Sequence, residues 1–590
     1  MNAFIMSLDN ITPSKYGING HIEFTWSNHI KEQILQLNFQ MVRVKGIQLS
    51  ALYDKFKNIL YELKNNYDND KKESSDILCY LITLFKMIGY TRDIIAGKGE
   101  YQLTYMMIYI WSIYYPKLAE IAINLLLRTE KSHMLGSWKD IKLFCDYCKT
   151  QHTIDPNPNY KRMITFCIDL INYQLRKDLE NYDKGLPISL AARWVPREKS
   201  KYGWLFKELA FSFFPEYFQF HDINPDAIKK SYTKYRQLCS KLNKYLDTVQ
   251  IKQCENNWQS IDFNHVTSLT FAKQTHSFLE DKNNYRKRCA DNFKIFLDKK
   301  IQNGKEINGK RISLDFFIKE ARQLLYKQNQ QQNQQQPQQD TPAKLQTQIN
   351  MLNSLWKSQL CEPNPLQNFI PMVDVSFSMD GLSKDIAIAL GIRISEVSSL
   401  RNRIMTFGEH PNWLNLSNCP DFISKVDMIS KCDWGGTSNF YSALDMIIDA
   451  SIQSKLSHDE IQESVLVILS DMQINGTSDN SLKDHILVDV IRKKYEDIGI
   501  THYGKPLKPP HIILWNLRST NGFPCLHFYE NISMLSGYNT ELLNSFCNKG
   551  LKGLNQFTPW VGLQNSLKNK RYDLLEIEAD SYFTSNLVKY

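Results

Sequence analysis

Phe369-Ile-Pro-Met-Val-Asp374-Val-Ser376-Phe-Ser378 is the stretch on which the reading of this 590-residue chain turns. Phe369 to Val373 is a short apolar run of the kind that forms a buried strand, and Ser383 to Leu400 beyond it carries helical spacing. A carboxylate and two hydroxyls at positions i, i+2 and i+4, where a strand ends, converge on one hard cation. Magnesium suits such an oxygen-only set, because it prefers octahedral oxygen coordination and retains waters; Mn²⁺ and Ca²⁺ are the alternatives. The competing reading of the same residues is that Asp374 and Ser376 merely cap the following helix.

Two further pieces follow in order. Trp434-Gly-Gly-Thr437 is a Gly-rich loop bearing a hydroxyl, ahead of a helical pattern at Tyr441 to Ser451. Ser464-Val-Leu-Val-Ile-Leu-Ser470-Asp471 is a buried-strand run that ends in an acid. Each piece falls at the C-terminal end of an expected strand or in the loop after it, the edge at which open parallel sheets bind ligands. The three-part pattern resembles the metal-ion-dependent adhesion site of von Willebrand factor A domains. That resemblance implies that Ser376, Ser378 and Thr437 ligate Mg²⁺ directly, and that Asp374 and Asp471 act mainly through bound water. It also implies a free coordination position for a partner's Asp or Glu, or for solvent.

The alternation of apolar runs and helical patterns predicts a doubly wound α/β domain over residues 346–590. Its expected strands are Phe369–Val375, Arg403–Phe407, Val465–Ser470 and His511–Leu517, and its expected helices Lys384–Leu400, Tyr441–Ser451 and Leu482–Tyr495. Thr501 to Pro510, rich in Pro and Gly, reads as a loop. Residues 1–326 read as an all-α region, helical-repeat-like and of HEAT-like character. Apolar spacings of three and four recur at Leu52 to Leu63, Ile77 to Met87, Tyr101 to Tyr115 and Leu118 to Leu127. Between the two lies a Gln-rich stretch, residues 327–345, that cannot bury a core and reads as a linker or inserted loop. Segments 1–30 and 551–590 are expected to pack back across the helical half.

Charge is unevenly spread. Lys and Arg exceed Asp and Glu by 13 over residues 1–340, whereas acids exceed bases by 4 over 341–590, giving the net +9. The basic half attracts nucleic acid electrostatically, although a Lys-rich genome bias would produce the same excess. Twelve cysteines without a paired framework read as reduced thiols of an intracellular, cytoplasmic-type protein. Cys145 and Cys148 sit one helical turn apart, as core residues would. The start Met1-Asn-Ala-Phe-Ile-Met lacks the features of a signal peptide, and Tyr105 to Tyr115 is too short to span a bilayer, so no membrane insertion is expected.

Several strings in the first half extend the resemblance. Arg92-Asp-Ile-Ile-Ala-Gly-Lys-Gly-Glu100, Leu135-Gly-Ser-Trp-Lys-Asp140, Leu190-Ala-Ala-Arg-Trp-Val-Pro196, Tyr235-Arg-Gln-Leu and Ser470-Asp-Met-Gln occur in that order. Together they are similar to the family of domain of unknown function 2828, over roughly residues 15–585. That family joins a helical region to a von Willebrand factor A-like domain and occurs in plants, fungi, bacteria and giant viruses. The Asn/Lys/Ile bias fits an AT-rich genome of the last kind. The layout is also similar to the Ro autoantigen (TROVE) proteins, whose helical ring binds structured RNA. By that analogy Arg92, Lys98, Arg193 and Arg197 are candidate RNA-facing residues, with solvated surface charge as the alternative for each.

Enzymatic motifs are missing from the sequence. Gly97-Lys-Gly99 fails both ends of a phosphate-binding loop pattern and reads instead as a tight turn needing positive φ. There is no G-x-S-x-G elbow and no H-E-x-x-H, and His133 and His276 lack ligand spacing. The expected function is therefore non-catalytic: a scaffold that binds Mg²⁺ and a partner's acidic group. The alternative is an RNA-binding protein that uses the basic helical region. Oligomeric state is not legible in the sequence.

Overall fold

A computed structural model of the chain describes residues 12–69, 75–128, 133–217, 225–332, 342–359, 368–432, 435–477, 479, 481–539, 542 and 557–587. Among the described residues, eight strands are formed: β1 (Ser14–Tyr16), β2 (Ile22–Phe24), β3 (Asn368–Asp374), β4 (Arg403–Phe407), β5 (Asn412–Asn415), β6 (Ser464–Ser470), β7 (His511–Asn516) and β8 (Ile532–Ser536). The continuous apolar runs become the centre of a six-stranded sheet in the order β5-β4-β3-β6-β7-β8. All its pairs are parallel except the edge pair β4–β5. Central strands of such a sheet are buried on both faces, and β7 and β8 are buried at every position, their polar members His511, Asn516, Ser533 and Ser536 included.

From β3 the chain moves outward to β4 and β5, then crosses back to place β6 on the other side of β3. The order therefore reverses between β3 and β6, and the loops leaving their C-terminal ends diverge to leave a crevice. Asp374 closes β3, and Asp471 follows β6 directly. The helix Leu382–Val397 returns across β3, with Gly391 against the strand: a Cβ there would lie 2.5 Å from Val373 Cγ2.

The chain divides into two compact units that do not follow sequence order. One comprises Met1–Lys55, Thr267–Ser277 and Lys294–Asn569, the other Phe56–Val266, Phe278–Phe293 and Lys570–Tyr590. Residues 12–55 and 294–332, expected within one helical region, thus share a unit with the sheet. Two causes are visible. The β1–β2 hairpin bridges to the loops after β6 and β7, pairing Gly20 with Asn475 and Phe24 with Phe523. The helix Leu314–Gln332 packs on Leu382–Val397, where Arg322 bonds Asp385 at 2.5 Å. The helix Pro342–Lys357 is bound into the same unit by Trp356. Its ring stacks on Phe422 at 4.0 Å and beneath the Arg393 guanidinium at 4.1 Å.

The second unit is helical. Its elements include Ser75–Arg92, Tyr101–Tyr114, Pro116–Leu126, Trp138–His152, Tyr160–Asp183, Gly203–Phe213 and Pro225–Tyr245. The C-terminal helix Asp573–Leu587 packs against Ser75–Arg92 and Pro116–Leu126, as expected for that segment. Lys86 pairs with Glu576, and the Tyr67 hydroxyl donates to the Phe583 carbonyl at 3.1 Å. Segment 1–30 departs from the same expectation, since its described part lies in the sheet-bearing unit.

The expected strands occur within one residue of their expected ends, but β5 and β8 are additional, and the β1–β2 hairpin lies within the region expected to be all-α. The helix expected at Leu482–Tyr495 runs instead from Leu487 to Tyr503, where Gly504 ends it in the left-handed conformation. The expected loop Thr501–Pro510 is correspondingly shortened. Of the Gln-rich stretch, residues 328–332 continue the helix that begins at Leu314. The remainder up to 341 lies outside the described residues, as do Met1 to Met6 and Trp434. Among the described residues, no helix is long and apolar enough to cross a membrane.

Candidate metal centre

The loop after β3 turns back on itself because Asp374 Oδ1 accepts the Ser376 amide at 3.0 Å. That turn brings the Ser376 and Ser378 hydroxyls to 3.1 Å from one another. Ser378 in turn donates to Asp471 Oδ1 at 3.4 Å, joining the loop after β3 to the end of β6. Asp471 is oriented by the Gln473 amide at 3.1 Å, with Met472 between them at a φ of 62°. Four of the five expected ligands thus form one hydrogen-bonded group at the switch point, Asp374 joined to it through the Ser376 amide.

The fifth is displaced. Thr437 is exposed, and its neighbour Ser438 points inward to donate to Asp374 Oδ2 at 3.2 Å. Ser470, the last residue of β6, donates to the same oxygen at 2.6 Å. Neither serine belongs to the three-part motif, so motif spacing does not signal them. Alternation places Ser470 opposite in direction to Leu469, but register against β3 is needed to aim it at Asp374.

The Gly-rich loop reaches this edge through its backbone. Gly435 donates to the Val375 carbonyl at 3.2 Å, at a φ of 111°, and a Cβ there would meet the Phe377 ring at 2.7 Å. Gly436, also at positive φ, accepts from the Phe377 amide and lies against Glu409.

Burial and the neighbouring charge of Asp471 push the Asp374 carboxyl up to about 6. Burial likewise raises Asp471, with Arg518 opposing the shift. The Arg518 guanidinium is occupied from the other side, donating to the Ser378 carbonyl and, at 2.8 Å, to the Asp380 carbonyl. Two buried carboxylates held close together and surrounded by hydroxyls are the donor set a hard divalent cation satisfies. The residues present therefore fit Mg²⁺, and the side-chain hydroxyls that bond Asp374 are those of Ser438 and Ser470.

The candidate RNA-facing residues fare differently. Arg92 is buried and makes two hydrogen bonds with Asp140, at 3.1 and 2.7 Å. Asp140 also accepts from the Tyr105 hydroxyl and from Ser137, whose capping box starts the helix Trp138–His152. Two of the strings noted in the sequence, Arg92-Asp and Gly-Ser-Trp-Lys-Asp140, are therefore the two sides of one buried ion pair. Asp93 beside it accepts from Arg571 at 2.6 and 2.9 Å. Lys98 is buried too, and desolvation lowers its ammonium to about 7. Neither Arg92 nor Lys98 can face a polyanion. Arg193 is half-buried and bonds Gln250 at 3.1 Å, and only Arg197 of the four is exposed.

In the Gly97-Lys-Gly99 turn, Gly99 has the expected positive φ of 73°. Gly97 does not; it is small because a Cβ would lie 2.0 Å from the Tyr90 carbonyl oxygen. Cys145 and Cys148 are buried, as expected of core residues.

Taken together, the chain is defined by an α/β sheet with an oxygen-donor cluster at its switch point, accompanied by a helical unit. Residues 146–361 match the family model described as Domain of unknown function (DUF2828). Residues 368–572, which carry the sheet and the cluster, match a different model, Domain of unknown function (DUF7788). The first match is narrower than the span of residues 15–585 expected from the sequence strings. An uncharacterised protein of Acanthamoeba polyphaga mimivirus, L728, is 25% identical over 487 residues, covering 78% of this chain and 76% of that protein.

Proposed function

We propose that the sheet-bearing unit is a von Willebrand factor A-like module that binds Mg²⁺ at Asp374, Ser376, Ser378 and Asp471, with a hydroxyl of the Gly-rich loop, the expected Thr437 or the inward-facing Ser438, completing the set. Through the metal it grips an Asp or Glu of a protein partner. The observation that carries this reading is the hydrogen-bonded path from the Asp374 carboxylate to the Ser376 amide, and from the Ser376 hydroxyl through that of Ser378 to Asp471, spanning the crevice between β3 and β6. Mn²⁺ and Ca²⁺ take the same donor chemistry.

The site's role is recognition rather than catalysis. Ser376, Ser378 and the exposed ring of Phe377 alternate along one loop, so the metal is flanked by an apolar contact at its rim. An acidic side chain next to an apolar one on the partner matches that surface. The reading is tested by titrating Mg²⁺ calorimetrically into metal-stripped protein, wild type and Ser376→Ala/Ser378→Ala. Saturable binding that the double substitution abolishes is expected. A wild-type protein that takes up no Mg²⁺ would overturn it.

A further inference from the structure

A second surface lies on the helical unit, around the helix Trp138–His152. On the helix Trp138–His152, Lys139, Lys142 and Lys149 are three and seven residues apart, spacings that return to one face. Asp146 shares that face and is paired by Lys201 at 3.3 Å. Among the described residues, no carboxylate lies within ion-pair distance of the other three lysines. Burial, and after it the charge of Lys139, lowers the Lys142 ammonium.

Half-buried rings are interleaved with these cations. Lys139 and Lys142 approach the Trp194 ring at 5.6 and 5.4 Å, Lys142 approaches Tyr202 at 5.2 Å, and Lys149 approaches Trp204 at 4.6 Å. These four pairs join sequence-distant residues on one helix face, a concentration that core packing does not require. Lys139 and Lys149 stand ~15 Å apart along the helix axis, the reach of a few nucleotides.

We propose that this face binds single-stranded nucleic acid, with phosphates neutralised by Lys139, Lys142 and Lys149 and bases stacked on Trp194, Tyr202 and Trp204. Alternating cations and aromatic faces are what a polynucleotide with unpaired bases engages. A duplex hides its base faces within the stack, and an acidic peptide has none. The surface is independent of the metal centre.

The test is fluorescence anisotropy with the full chain and a labelled 12-nucleotide oligouridylate, from 50 to 300 mM salt. A labelled hairpin duplex and inorganic polyphosphate serve as comparison polyanions. The expected result is binding that weakens with salt. Lys139→Gln/Lys142→Gln/Lys149→Gln should flatten the log–log slope by about 2, three phosphates at ~0.7 each. Trp204→Leu should weaken binding roughly tenfold with the slope unchanged, one lost stacking contact. Asp374→Ala and EDTA should leave both values as they were. The proposal is overturned if the oligouridylate does not bind at 50 mM salt, or if the lysine substitutions leave the slope unchanged. Hairpin or polyphosphate binding as tightly as the oligomer and indifferent to Trp204→Leu would overturn it as well.

Discussion

The Ser470 hydroxyl donates to Asp374 Oδ2 at 2.6 Å, tying the last residue of β6 to the last residue of β3. This bond spans the switch point from beneath, while the Ser378–Asp471 contact spans it from the loops. Asp374 is fully buried, so its charge depends on such donors.

Ser470→Ala removes one of them without altering the strand's apolar neighbours. A hydrogen bond to a charged group contributes about 1.5–3 kcal/mol, and a loss of that size is expected in urea unfolding. Mg²⁺ affinity should fall as well, because Asp374 is then less well aimed. An unchanged denaturation midpoint would show that the bond is not maintained in solution.

Gly435→Ala acts on the same edge by another route. The backbone there has a φ of 111°, and the added methyl would meet the Phe377 ring. Strain of ~1–3 kcal/mol is expected. It should appear as weaker Mg²⁺ binding in calorimetry, with the far-ultraviolet circular dichroism retained. Wild-type affinity in this variant would refute the tight fit between the Gly-rich loop and Phe377.

In the helical unit, Arg92→Leu leaves Asp140 buried with its charge uncompensated. Breaking such a pair from one side costs about 3–5 kcal/mol. Urea unfolding followed by circular dichroism should show that loss, and Arg92→Leu/Asp140→Leu should recover part of it. A cost under ~1 kcal/mol would mean that water reaches the pair.

His511 provides a pH dependence. Burial lowers its imidazole from 6.5 to about 4, where it bonds Asn531 at 3.1 Å and Ser533 at 2.9 Å. The folded protein holds it neutral, whereas the unfolded chain accepts a proton below pH 6.5. Its contribution is therefore fully present above pH 6.5 and is lost as pH falls towards 4. The loss at pH 4.5 is on the order of 2–3 kcal/mol. His511→Gln should unfold with a smaller difference between pH 7 and pH 4.5 than the wild type. An equal difference would assign the acid sensitivity to other groups.

What the sequence disclosed follows physical lines. Apolar runs such as Val465 to Leu469 announce central parallel strands, because burial on both faces leaves no polar alternation to confuse with a helix. The edge strand β5, Asn-Trp-Leu-Asn, is four residues long and half exposed, too little pattern to read. Asp374, Ser376, Ser378 and Asp471 were legible because their spacing along one loop and one strand end is local. The inward turn of Ser438 instead of Thr437 depends on the two preceding positive-φ glycines, a backbone property that spacing does not encode. Arg92 and Lys98 illustrate the opposite failure. A basic residue in a Gly-containing turn looks exposed until Asp140, 48 residues later, is folded against Arg92.

The β1–β2 hairpin places a timing constraint on biosynthesis. Asn19 bonds the Gln473 carbonyl at 2.7 Å across 454 residues, and Phe39 receives Asn516 across 477. At ~5–20 residues per second, a ribosome needs roughly 20–90 s to traverse that distance. For that interval the early residues Phe24, Ile34, Leu35 and Phe39, all buried in the finished molecule, wait without the strands that cover them. Newly made chains are thus exposed to holding chaperones, and to aggregation, for far longer than a domain assembled from neighbouring sequence would be.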